Sequence, residues 1–168
     1  MRYRLDVVAA NSADAVRFAG GWMYDRVMAG WDVTVLLADR TDERPLQILG
    51  VATSDLEAAL ASWAERPHPQ TVAVAADLFA SDERVRRGVL GALEQGLTEV
   101  TLWGDNNWPA ELDDSVGPVA HQLSAAARAF KSQALTAAAD PGSVTDIETF
   151  RCGVMATPSV AADLISAS

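Results

Sequence analysis

Apolar runs of this chain repeatedly end in polar residues able to bind ligands or move protons. Val7 to Ala10 lead into Asn11, Ser12, Ala13 and Asp14, and Val33 to Ala38 lead into Asp39 and Arg40. Thr71 to Ala76 end at Asp77, and Thr98 to Gly104, which includes Trp103, end at Asp105. If these runs are parallel strands, their carboxyl ends share the sheet edge where open α/β folds collect ligands. There an aspartate can serve as a base or accept a hydroxyl, and Arg40 can hold an anion. Helix N-termini add backbone donors. Trp103 and Trp108 could wall such a pocket. Aspartate is also a common helix cap, the expected role at Asp77 and Asp105, whereas Asp14 suits either task. The candidate binding set is therefore Asn11, Ser12, Asp14, Asp39, Arg40, Trp103 and Asp105.

Other chemistries find little support. No G-x-G-x-x-G, Walker A or G-x-S-x-G sequence is present. Gly20 and Gly21 fall well inside a helical pattern, where close packing explains them better than phosphate binding. His68, between two prolines, reads as an exposed loop residue. His121 reads as a packed or surface histidine, since neither has acidic or cysteine partners at ligand spacing. No serine sits in a nucleophile setting. Cys152 is the only cysteine, which excludes an internal disulfide and a multi-cysteine metal cluster.

The elements that must position these residues alternate. Tyr3–Ala10 reads as a strand. Ala13–Ala29 reads as a helix with Val16, Ala19, Met23 and Val27 on one face, capped by Asn11 or Ser12 and ended by Gly30. Asp32–Asp39 is a second strand, completing a βαβ unit. Ser54 with Glu57 suggests a capping box for a helix bearing Leu56, Leu60 and Trp63. Thr71–Asp77 is a third strand. Ser81 is expected to cap a helix with Val85, Val89 and Leu93, closed by Gly96, before a fourth strand at Thr98–Gly104. A long helix is expected from Val119 to Ala139, with Val119, Leu123, Ala126, Phe130 and Ala134 facing inward. "IETFRCGVM" reads as a last strand, and "PSVAADLISAS" as a short helix or loose tail. The pattern predicts one three-layer α/β/α, Rossmann-like domain with a mainly parallel sheet, spanning residues 1–153, and a tail at 154–168.

Three stretches, in order, resemble the N-acetylglucosaminyl deacetylases of the PIG-L/LmbE type. "VVAANSADAVRFAGGWMYDRVMAGWDVTVLLAD" resembles that family's opening strand, AHPDDE motif, glycine-containing helix and second strand. "AARAFKSQA" is similar to its late helix, and "IETFRCG" to its closing segment. The resemblance implies an LmbE-like fold and a zinc site, with histidine and aspartate ligands and a second aspartate as general base. Carried over residue by residue, the ligand histidine falls on Asn11 and the general base on Ala13. The ligand aspartate survives as Asp14, and the terminal glutamate becomes Ala15. The later histidine-rich ligand segment has no counterpart. An amide is a poor zinc ligand, a methyl group takes no proton, and a catalytic zinc wants three protein ligands.

The reading that follows is a catalytically silent LmbE-like domain with no metal and no cofactor. It would bind a small polar ligand, sugar- or nucleotide-like, or a protein partner. The alternative is a metal-independent hydrolase or transferase using Asp14 or Asp39 as base. The net charge of −10 disfavours nucleic acid and anionic membrane as partners. With 49% hydrophobic residues, the chain is expected to form a packed core. No apolar run nears the ~20 residues of a membrane span, and no signal-peptide core opens the chain. A cytoplasmic location is the expectation.

Overall fold

The computed structural model describes residues 2–104, 116–153 and 165–166. Strand β1 (Arg4–Ala9) leads into helix α1 (Ser12–Met28) and then β2 (Asp32–Leu37). Helix α2 (Arg44–Ile48), strand β3 (Ala52–Asp55) and helix α3 (Leu56–Ala61) follow, with a 3-10 turn at Trp63–Glu65. Next come β4 (Thr71–Ala75), α4 (Ala76–Ser81), α5 (Glu83–Gln95) and β5 (Glu99–Trp103). The described chain ends with β6 (Val116–Gln122), α6 (Ala125–Ala137), β7 (Ile147–Gly153) and β8 (Ile165–Ser166).

The strands form one sheet in the order β3-β2-β1-β4-β5-β7-β6-β8. The first five are parallel, whereas β7 runs antiparallel to β5 and β6, and β8 antiparallel to β6. Side-chain alternation divides β1 between two cores. Leu5, Val7 and Ala9 join a cluster with Val16, Trp22 and Met23 of α1, Leu46 of α2, and Ala127 and Ala134 of α6. Val8 joins the opposite cluster with Leu56 of α3, Phe79 of α4, and Val85 and Val89 of α5. Helices thus cover both faces, and the expected mainly parallel α/β sheet is what forms.

Several local expectations are corrected. Residues 116–122 are a strand between β7 and β8, so the long helix expected from Val119 is a strand followed by α6. Ser124 caps α6, its hydroxyl oxygen accepting from the Ala127 amide at 3.0 Å. The inward face of α6 is Ala127, Lys131, Ala134 and Leu135. Ala126 is exposed, and Phe130 is 42% exposed and stacks on Tyr24 with ring centroids 4.7 Å apart. The face is rotated because Lys131, which a hydrophobicity pattern places outside, is buried on a buried carboxylate, Glu148. Ser54 lies in β3, and Asp55 caps α3 instead. Asp82 caps α5 in place of Ser81, which ends α4. Ile165 and Ser166 pair with β6 as a strand, where a helix or loose tail was expected.

Candidate functional site at the carboxyl edge

The polar residues at the ends of β1 and β2 are neighbours because those strands are zipped past their last residues. Ala38 donates its amide to Ala9 at 3.1 Å, and Asp39 donates to Ala10 at 2.8 Å. Asn11 has extended backbone and caps α1, its side-chain oxygen accepting the Asp14 amide at 2.8 Å. That bond satisfies one of the donors a helix start leaves open. Ser12 is buried and its hydroxyl donates to the Asp42 carbonyl, tying the first turn of α1 to the loop after β2. Ala13 and Asp14 follow in the same turn, both half-buried.

The loop after β2 closes on itself. Asp39 accepts the Thr41 amide at 2.9 Å and also its hydroxyl. Arg40 ion-pairs with Glu43, three residues on. The Thr41 hydroxyl, and after it the Thr41 amide, hold the Asp39 carboxyl below its ordinary range. Arg40 is likewise held above the ordinary arginine value, first by the hydrogen bond to Glu43. Thr41, Asp42 and Glu43 are not among the residues selected from sequence, although Asp39 with Thr41 is a turn signal that could have drawn them in.

Asn11, Ser12, Asp14, Asp39 and Arg40 therefore do meet at one edge. Trp103 does not offer a wall there: it is 1% exposed and belongs to the core with Trp22 and Phe150. Asp77 lies in the first turn of α4 with its side chain exposed. Asp105 and Trp108 lie outside the described residues.

Two polar clusters elsewhere are internal ties. His121 Nε2 lies 2.7 Å from an Asp25 oxygen, and the Ser124 hydroxyl donates to the other oxygen at 2.6 Å. The carboxylate stands between serine and histidine, so the imidazole is not placed to activate the hydroxyl as a nucleophile requires. Glu148 of β7 accepts the amides of Gly21 and Trp22 at 2.8 and 2.7 Å and the Lys131 ammonium at 2.7 Å. Asp25 lies 96 and 99 positions from its partners His121 and Ser124, and Glu148 lies 127 and 126 from Gly21 and Trp22, separations that leave no periodic signal.

Among the described residues, the positions onto which the resemblance carries the zinc motif do not fit a catalytic zinc ion. Asn11 presents an amide whose oxygen already accepts the Asp14 backbone N–H, residue 13 presents a methyl group, and of the motif positions 11, 13 and 14 only Asp14 supplies a carboxylate. Among the described residues no three of His, Cys, Asp and Glu gather in a way that could hold a metal. No helix among them is long and apolar enough to cross a membrane.

No protein-family model matches the chain, and no curated protein matches it in sequence. Solved structures do match in fold. The zinc-inhibited form of teicoplanin deacetylase Orf2 superposes with a TM-score of 0.65 at 14% identity, covering 91% of this chain and 98% of that one. The A40926 pseudoaglycone deacetylase Dbv21 gives 0.64 at 17% identity, covering 94% and 99%. The conserved protein TT1542 from Thermus thermophilus gives 0.54 at 16% identity, covering 81% and 78%. At such identities the likeness is one of fold: the chain has the LmbE-like α/β architecture of these structures.

Proposed function

We propose that this chain is a catalytically silent LmbE-like domain that acts by binding at the carboxyl edge of its sheet. The observation that carries this reading is the Asn11–Asp14 hydrogen bond. At the position where the resemblance implies a ligand histidine, the side chain serves as a helix cap, and the neighbouring position of the general base holds a methyl group. At the motif positions a hydrolytic water would find neither the histidine that helps hold a metal nor the aspartate that would take its proton. The rival reading takes Asp14 or Asp39 as a metal-free base; for Asp39 it is weakened by the Thr41 bonds, because holding a carboxyl below its ordinary range makes it a poorer proton acceptor.

The edge offers a ligand the Asn11 amide, the Asp14 carboxylate and the Arg40 guanidinium, a set suited to a small polar molecule of sugar or nucleotide type. A protein partner is the second reading. It is favoured by the closed bonding of Ser12, Asp39 and Arg40, which makes the edge a pre-set polar surface. Elemental analysis after dialysis against chelator, then zinc, tests the silence. Far less than one zinc per chain is expected, with no acetate released from N-acetylglucosaminyl compounds. Stoichiometric zinc that is lost in Asp14→Ala, or release of acetate, would overturn it.

A further inference from the structure

A second candidate site lies at the other edge of the sheet. A cavity of about 340 Å³ opens between α5 and the segment from Trp63 to Pro69, reaching Asp6, Val72 and Thr98 near the amino ends of β1, β4 and β5. Its volume is at the lower end of ligand pockets, which run from about 300 to 1,000 Å³. That suits one ring with one acidic group.

The wall is built and held. Arg4 donates to the Pro67 carbonyl at 3.2 Å, and the Thr98 hydroxyl donates to the Pro69 carbonyl at 3.0 Å. His68 is thus carried between two prolines whose carbonyls are both anchored. Asp6, the carboxylate on the wall, is 2% exposed and faces Arg66 at 3.3 Å and Arg4 at 3.4 Å. Its charge is already answered. Arg87 and His68 also line the cavity, and neither side chain has a hydrogen-bond or ionic partner among the described residues. In a chain of net charge −10, this wall carries more positive than negative side chains.

Helix α5 leaves the space open. A Cβ at Gly88 would meet the Trp63 indole nitrogen at 3.2 Å, so the ring lies directly on the helix there. One turn later a Cβ at Gly91 would meet nothing within 4 Å. Glycine weakens a helix interior relative to alanine, and no neighbour requires it at residue 91.

We propose that this cavity binds a small organic anion, a carboxylate or phosphate monoester on a flat apolar body. Arg87 meets the anion, since a guanidinium fork matches both groups, while Arg66 stays on Asp6. Trp63 faces the body, as aromatic faces do for planar rings. The proposal uses no residue of the carboxyl edge, so it stands or falls separately from the function proposed above.

Titrating the full chain with phenyl phosphate and benzoate, with benzamide as the neutral control, tests it by ¹⁵N NMR read at the Trp63 indole and Gly91 amide. At least one anion is expected to give saturable shifts at both positions, and the stronger of the two identifies the acidic group preferred. Arg87→Gln, at an exposed position, is expected to weaken binding about tenfold, the scale of one charge-assisted hydrogen bond. Gly91→Leu, filling the cavity, is expected to abolish it. No saturable shift from either anion, an equal response to benzamide, or unaltered affinity in Arg87→Gln would overturn the proposal. So would unaltered affinity in a folded Gly91→Leu variant.

Discussion

Leu123 occupies the space that a side chain at residue 21 would need. A Cβ on Gly21 would lie 2.2 Å from Leu123 Cδ2 and 2.3 Å from its Cγ. Helix α1 thereby docks closely on the turn between β6 and α6, which brings the Gly21 and Trp22 amides within reach of Glu148. This glycine marks a close approach of helix to turn.

Gly21→Ala should destabilise the protein by about 1–3 kcal/mol, the range for an overpacked core, even though alanine gains about 1 kcal/mol of helix propensity. Leu123→Ala should cost about 2–5 kcal/mol. In the double variant the alanine at residue 21 should cost much less, as the clash is gone. Urea titration of the four proteins measures this, and equal costs in both backgrounds would show that the contact does not matter.

Lys131 and Glu148 are a buried pair, 2.7 Å apart and 5% and 2% exposed at their side chains. Lys131→Met should cost about 3–5 kcal/mol because it strands a buried carboxylate. Lys131→Met with Glu148→Gln should recover part of that loss. Burial pushes the Glu148 carboxyl above its ordinary 4.5, against the pull of Lys131 and the two amides. A raised carboxyl pKa contributes stability below 4.5 that is lost as pH rises through the folded value. Removing Lys131 removes the opposing pull, so Lys131→Met should lose more stability near neutral pH than in mild acid. Denaturation at both pH values decides it.

Asn11 caps α1, and Asp14 supplies the amide that the cap receives. Asn11→Ala should therefore cost about 1 kcal/mol. Asp14→Ala should cost about 0.3–1 kcal/mol, the scale of a carboxylate in the first turn of a helix. Thermal melting ranks them. A larger loss at Asp14 would mean that its carboxylate does more than meet the helix dipole.

Asp82 accepts the Arg84 and Val85 amides at 2.9 and 3.4 Å and ion-pairs with Arg84 at 3.2 Å. Burial alone would raise its pKa, but the Arg84 side chain and the two amides outweigh it and hold the carboxyl below 3.8. A depressed carboxyl contributes stability above its ordinary value and loses it as pH falls through the folded one. Asp82→Ala should cost about 1 kcal/mol at neutral pH. The gap to the wild type should close only below 3.8. A gap that persists in stronger acid would assign the effect to packing.

Much of this molecule is legible locally. The β-branched runs at Val33–Leu37 and Thr71–Ala75 and the stripe of Val16, Ala19 and Met23 carry their own periods, and each becomes the element its period implies. Of the candidate site, the meeting of Asn11, Ser12, Asp14, Asp39 and Arg40 follows from parallel topology alone. Trp103 is not legible in the same way, because an aromatic at a strand end reads the same whether it faces a pocket or the core.

The residue types alone determined the alternating α/β order, the main parallel strands, and the amide and methyl groups standing at Asn11 and Ala13. Tertiary structure decided that residues 116–122 are a strand, because their hydrogen-bond partners in β7 and β8 lie further along the chain. It also turned Lys131 inward, because only the folded sheet brings Glu148 beneath it. Local preference is set within a turn or two of backbone, whereas burial of a charge depends on which distant group arrives to meet it.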